Sequence, residues 1–185
     1  MMLSSIVWAF LLMPNICILG SHSERSWNFE VISASMVSSD ESKVNATIHV
    51  NRISFSESVV SANVYWNCGA EDDSTASFVV LHSRSGREND YSNTPYQIPN
   101  QNLKTFVDNY YHDMFYLNVA NCSNLPPYFD VPPVKMRYIL NECSMTGDGF
   151  PYILPLGYYK FHLVLKTEAT FTISFIVKLT SKSMG

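Results

Sequence analysis

The chain has 185 residues and a net charge of -4, and charged side chains make up only 15% of it, against roughly 25% in typical soluble domains. That length suits one domain. The acidic balance argues against nucleic acid as a partner and against electrostatic docking on anionic lipid.

Residues 1–20 carry no charge and hold the apolar run Ile6-Val7-Trp8-Ala9-Phe10-Leu11-Leu12-Met13 before Pro14. They read as a secretory signal peptide cleaved near Gly20 or Ser23, although the usual basic leading segment is missing. The alternative is a signal anchor, but Pro14 interrupts the run and the span is short for a bilayer-crossing helix. Residues 21–185 are then one extracellular domain, with at most peripheral membrane contact. Two glycosylation sequons, Asn45-Ala46-Thr47 and Asn121-Cys122-Ser123, agree with secretion. Cys17 leaves with the leader, so Cys68, Cys122 and Cys143 meet an oxidising compartment. One disulfide and one free thiol is the simplest arrangement, with three pairings open; an intermolecular bridge is the alternative.

Residues 27–37 are a first strand candidate whose register the pattern does not define. Val44, Ala46, Ile48 and Val50 alternate with Asn45, Thr47, His49 and Asn51, which puts the sequon Asn45 on the solvent side. Val60, Ala62, Val64 and Trp66 share a face of a third strand ending at Cys68. The short run Phe78-Val79-Val80-Leu81 reads as a deeply buried strand, and residues 83–100 as a long exposed loop.

The period then changes. Leu103, Phe106, Val107, Tyr110, Tyr111, Met114 and Leu117 recur at three and four residues, which predicts one amphipathic helix of about four turns. Asn100 or Asn102 caps its start, and the helix is expected to cover one opening of a β structure. Four prolines in 121–133 exclude a helix or central strand and leave Leu125, Tyr128, Phe129 and Val131 in an irregular loop. Met136, Tyr138 and Leu140 alternate towards Cys143.

A turn at 150–157 opens the most strongly patterned stretch. Tyr159, Phe161, Leu163 and Leu165 point one way, opposite Lys160, His162 and Lys166. Phe171, Ile173, Phe175, Val177 and Leu179 share a face, opposite Thr170, Thr172, Ser174 and Lys178. With Glu168-Ala169 as its turn, this is an antiparallel hairpin that turns nine large apolar side chains to one interior. The fold class is all-β: a cup or sandwich of about seven to eight antiparallel strands with one inserted helix.

Catalytic chemistry is sparse. His22, His49, His82, His112 and His162 are scattered without metal-ligand spacing. There is no nucleophile elbow and no phosphate loop, and Asp148 reads as a turn former. The expectation is a protein that is not an enzyme and has no cofactor and no metal. The abundant aromatic residues either fill a core or line a hydrophobic cavity, and pattern alone does not separate the two.

Three stretches together resemble the insect chemosensory CheA/CheB proteins: Ser123-Asn124-Leu125-Pro126, Tyr138-x-Leu140, and Phe150-Pro151-x-x-Leu154-Pro155-x-Gly157-Tyr158-Tyr159-Lys160. The helical Tyr110-Tyr111-x-x-Met114-Phe115 fits the same likeness. Those proteins are similar in turn to the ganglioside activator protein, a lipid-binding β-cup. The resemblance covers roughly residues 100–180. It implies a secreted cup around a hydrophobic cavity that carries or presents a lipid or pheromone-like ligand to a receptor. A Cys-Pro pair is expected in the loop after Ser-Asn-x-Pro; here it reads Phe129-Asp130-Val131-Pro132-Pro133. Against that family background, Cys122 and Cys143, which flank the loop, are the expected disulfide instead.

On this reading Val60, Val64, Trp66, Tyr159, Phe161, Leu163, Phe171, Ile173 and Phe175 form the cavity wall. Leu125, Tyr128, Phe129, Phe150, Ile153 and Leu154 form its mouth, and Asn45 and Asn121 carry glycans. The alternative is an extracellular interaction protein with a filled core that docks on a receptor or ion-channel ectodomain.

Overall fold

The computed structural model describes residues 25–54, 57–69, 73–131 and 133–182. The expected signal peptide, its cleavage sites and Pro132 lie outside them. Among the described residues nine strands run in chain order: β1 Trp27–Ser38, β2 Val44–Arg52, β3 Ser58–Trp66, β4 Thr75–Ser83, β5 Ser92–Asn93, β6 Ile98–Asn102, β7 Met136–Cys143, β8 Gly157–Lys166 and β9 Thr170–Ser181. All pair antiparallel. One sheet has the order β1-β9-β8-β4-β5, with β6 also on β4; the other has the order β2-β3-β7. The expected all-β architecture with one helix is therefore present. The count exceeds the seven to eight expected because β5 and the start of β6 lie inside the stretch read as a loop.

The hairpin β8–β9 follows the alternation that predicts it. Phe161 faces Phe175, Leu163 faces Ile173 and Leu165 faces Phe171 across it. Such directly opposed apolar pairs are what stabilise a sheet face. The turn closes through the Thr167 amide, which donates to the Ala169 carbonyl at 3.0 Å. Glu168 at its tip pairs with Lys43 and accepts from the Gly69 amide at 2.8 Å, which pins the hairpin end to the other sheet.

The missing register of β1 has a physical cause. A bulge between Val31 and Ser33 switches which face its side chains take. Trp27 and Val31 are buried at odd positions before it, whereas afterwards the even-numbered Met36 turns inward. One extra residue in a strand has this effect, and no period-two count survives it.

The run Phe78-Val79-Val80-Leu81 lies in β4, where no residue is exposed: Ala76, Phe78 and Val80 are buried and Val79 and Leu81 partly covered. One expectation needs correction. Alternation predicts Lys160 on the solvent face of β8, but it is only 9% exposed. Its ammonium donates to Glu88 at 2.5 Å and lies 4.3 Å from the centre of the Tyr91 ring. The polar connection 84–97, with a 3-10 turn at Glu88–Asp90, thus folds across the outer side of this strand.

The helix runs in three consecutive pieces. Leu103–Phe106 and Leu117–Val119 are α, and Val107–Tyr116 between them is π. Asn102 caps it, accepting from the Lys104 amide at 2.9 Å and the Thr105 amide at 3.4 Å. The disulfide Cys122–Cys143 joins the segment after the helix to the end of β7, with Cα atoms 5.4 Å apart, and Cys68 is buried and unpaired. The main core packs Val60, Phe78, Val80, Phe106, Tyr159, Val177 and Leu179, and a second cluster gathers Val44, Trp66, Tyr138 and Phe171.

Candidate functional site

Residues from both sheets, the helix and two loops line a partly open apolar cavity of about 260 Å³. The hairpin supplies Phe161, Leu163, Leu165, Phe171, Ile173, Phe175 and Val177. The smaller sheet supplies Val64, Trp66, Tyr138 and Leu140, and β1 supplies Phe29 and Met36. Among the described residues no Asp, Glu, Lys, Arg or His side chain lines it.

The helix forms a side of this space. Leu103, Val107, Tyr111, Phe115 and Val119 all line it at a strict spacing of four, joined by Phe106, Met114 and Asn118. In an α-helix of 3.6 residues per turn, a four-residue row drifts about 40° per step. The wider π turns offset that drift and keep one row facing one wall. This corrects the stripe drawn from α periodicity: Leu117 is 48% exposed, and Phe115 and Val119 take the inward places.

The tyrosine hydroxyls and the asparagine amide along the wall are engaged. The Tyr111 hydroxyl donates to the Pro126 carbonyl at 2.6 Å and the Tyr138 hydroxyl to the Val134 carbonyl at 2.8 Å. Burial, first of all, pushes both phenols above their ordinary ionisation range, so both remain neutral donors near pH 7. Asn118 clasps the 145–149 turn. Its side-chain oxygen accepts from the Gly147 and Asp148 amides, and its amide donates to the Met114 and Asp148 carbonyls. Gly149 (φ +85°) lets that turn touch the helix, since a Cβ there would stand 2.4 Å from the Asp113 carbonyl oxygen. Asp148 itself pairs with Arg25 at 2.5 Å.

Of the expected wall, Val64, Trp66, Phe161, Leu163, Phe171, Ile173 and Phe175 line the cavity. Val60 and Tyr159 do not. Val60 is fully buried in the solid part of the core. Tyr159 packs there with its ring 4.7 Å from His82, and its hydroxyl donates to the Pro155 carbonyl at 2.8 Å. Burial pushes its pKa up to about 12. Of the expected mouth, Leu125, Phe129 and Phe150 line the cavity, whereas Leu154 is buried in the core. Tyr128 and Ile153 are 80% and 79% exposed, and Tyr128 stacks on His112 at 5.9 Å. Asn45 and Asn121 are both exposed.

Sequence reasoning misses Phe29 and Met36, hidden by the bulge; Phe78, Tyr138, Leu140 and Met145; and the helical row. The four-residue spacing from Leu103 to Val119 is the signal that could have found that row. Among the described residues no three His, Cys, Asp or Glu side chains come together to hold a metal ion. No described helix is long and apolar enough to cross a membrane.

Residues 77–161 match a family described as "Protein of unknown function (DUF1091)". A DUF1091 domain is found there. It covers just under half of the chain, from β4 through the helix and β7 to Phe161 of β8. The DUF1091 stretch therefore supplies the helical side of the cavity and part of both sheets, while β1 and β9 fall outside it. No curated protein matches the chain.

Proposed function

We propose that this chain is a secreted, non-catalytic carrier of a lipid or other apolar ligand. DUF1091 is the ML-like, CheA/CheB type of family. The finer likeness, to chemosensory proteins that present pheromone-like ligands to a receptor, belongs to the same proposal. The observation that carries it is the cavity: a wall of aromatic and aliphatic side chains, free of charge, drawn from both sheets and the helix.

The volume limits the ligand. About 260 Å³ lies near the low end of ligand pockets and equals roughly nine water-sized units at ~30 Å³ each. It suits a medium chain, or the buried end of a longer one. At ~0.8 kcal/mol per buried CH2, such a chain gains roughly 7 kcal/mol before ordering costs. A charged headgroup finds no counter-charge on the wall and is best left outside.

Mass spectrometry of protein secreted from insect cells tests this, under native conditions and after organic extraction. A discrete extra mass that extracts as lipid or hydrocarbon is expected. A bare mass that stays bare after incubation with medium- and long-chain lipids and hydrocarbons overturns the carrier reading.

One observation favours a second reading. Tyr128, Tyr152 and Ile153 are exposed apolar side chains on the two loops whose neighbours Phe129 and Phe150 line the cavity. Those loops suit contact with a lipid surface or with a receptor or ion-channel ectodomain, with or without cargo inside.

A further inference from the structure

The two sequons are built differently. Asn45 is exposed on β2, an end strand of the small sheet, and Asn45-Ala46-Thr47 holds no cysteine. Asn121 is exposed too, but the middle residue of Asn121-Cys122-Ser123 is half of the disulfide to Cys143. The fold ties this sequon down on every side but one. The Cys122 amide donates to the Val119 carbonyl at 3.2 Å, and the Cys122 carbonyl accepts from the Asn141 amide at 2.8 Å. Ser123 bridges to Leu140 of β7, and its hydroxyl oxygen accepts from the Leu125 amide at 3.3 Å. Cys143 is fully buried.

An N-linked glycan is added by a membrane-bound transferase that draws the Asn-x-Ser segment into its own active site, which requires a free chain. In the folded protein, freeing residues 121–123 means stripping them from β7 and breaking the disulfide. Asn121 itself is exposed, so the finished fold has room for the sugar.

Taking the secreted part of the proposed function as given, we infer that Asn121 accepts a glycan only while Cys122 and Cys143 are still thiols. Its occupancy is the outcome of a race between two covalent steps. In one, the Asn121 amide nitrogen attacks the anomeric carbon of a sugar held on a lipid diphosphate. An N–C bond forms, the C–O bond to phosphate breaks, the lipid diphosphate leaves, and the amide proton passes to a base of the transferase. In the other, Cys122 and Cys143 give two electrons and two protons to a disulfide oxidant, which is reduced to a dithiol. With the two cysteines 21 residues apart, Cys143 is synthesised roughly 1–4 s after Cys122 at about 5–20 residues per second. Closure then takes seconds to hours. A more reducing compartment lengthens that window and yields more of the glycosylated form.

Pulse-labelled insect cells expressing the full chain test this. Thiols are alkylated at each time of the chase, and peptides from cells and medium together are read by mass spectrometry. Wild-type protein is expected to be a mixture at Asn121. Chains that close the disulfide while Asn121 is bare should stay bare throughout the chase. Cys143→Ser leaves residues 121–123 intact and removes the closing step. It should raise the ratio of occupied to bare Asn121 by about 3-fold or more, with Asn45 unchanged. Counting cells and medium together keeps this readable if the variant folds or secretes poorly.

A closed, bare chain that later gains sugar at Asn121 overturns this inference. Equal Asn121 occupancy in wild type and Cys143→Ser overturns it as well. In both cases sugar on Asn45 leaves the secreted reading standing. If neither asparagine carries sugar in either protein, both fall together.

Discussion

His162 and Lys160 sit on the outer face of β8, where alternation assigns both to solvent. His162 is partly buried, and its Nδ1 lies 2.8 Å from Ser174 Oγ. Burial, then the neighbouring Lys160 ammonium, lowers its pKa; Glu88 pulls the other way. The folded form therefore resists a proton that the unfolded chain accepts near its ordinary value of 6.5. Above that pH the stability is fully present. As pH falls below it, towards the lower folded value, the unfolded state binds more protons and stability drops. Melting temperature measured from about pH 7.5 to about pH 5 should fall more steeply for the wild type than for His162→Gln. Parallel curves would show that burial does not set this group's titration. At this scale, parity tells which face a side chain takes but not how deep it lies. Val60, Tyr159 and Leu154 share the inward face of their surroundings with true cavity residues, yet each is packed solid.

The helix and the loop after it form a unit fastened at three points. Asn118 grips the 145–149 turn, Tyr111 is bonded to Pro126, and Cys122 is joined to Cys143. The disulfide closes a 21-residue separation, for which chain entropy predicts about 3 kcal/mol. Replacing both cysteines by serine should lower the melting temperature by roughly 6–12 °C, at about 2–4 °C per kcal/mol for a domain of this size. Reduction of the wild type should act the same way. An unchanged melting temperature would mean that the other two fastenings hold the loop alone. The element's existence is legible from its apolar rhythm, and its start from Asn102. Its winding is not. Three- and four-residue steps fit both α and π turns locally, and only the full row from Leu103 to Val119 distinguishes them. β5 and β6 are illegible for a different reason: short edge strands of polar residues carry no apolar alternation.

For the whole molecule, the question the sequence leaves open is whether the interior is solid. Period-two patterns state which side chains turn inward, and they describe the hairpin, β2 and β3 correctly. They carry no information on how far apart two sheets stand, because that spacing depends on what lies between their faces. Here the inserted helix and the proline loop stand along one side, and the space they leave is the cavity. Its reality can be tested through stability. A ligand that binds only the folded state adds about 2.7 kcal/mol at a hundred times its dissociation constant. Wild type with decane, a medium-chain hydrocarbon suited to the apolar wall, at that level should therefore melt roughly 5–10 °C higher than ligand-free protein. Leu163→Trp places a large ring in the cavity from the middle of β8. In a hollow molecule the ring occupies free space, so the variant should melt close to the ligand-free wild type and gain little from ligand. In a filled one the same substitution overpacks the core, costing about 1–3 kcal/mol, and the wild type itself shows no gain. Calorimetry on the two proteins with and without decane therefore separates a hollow molecule from a solid sandwich.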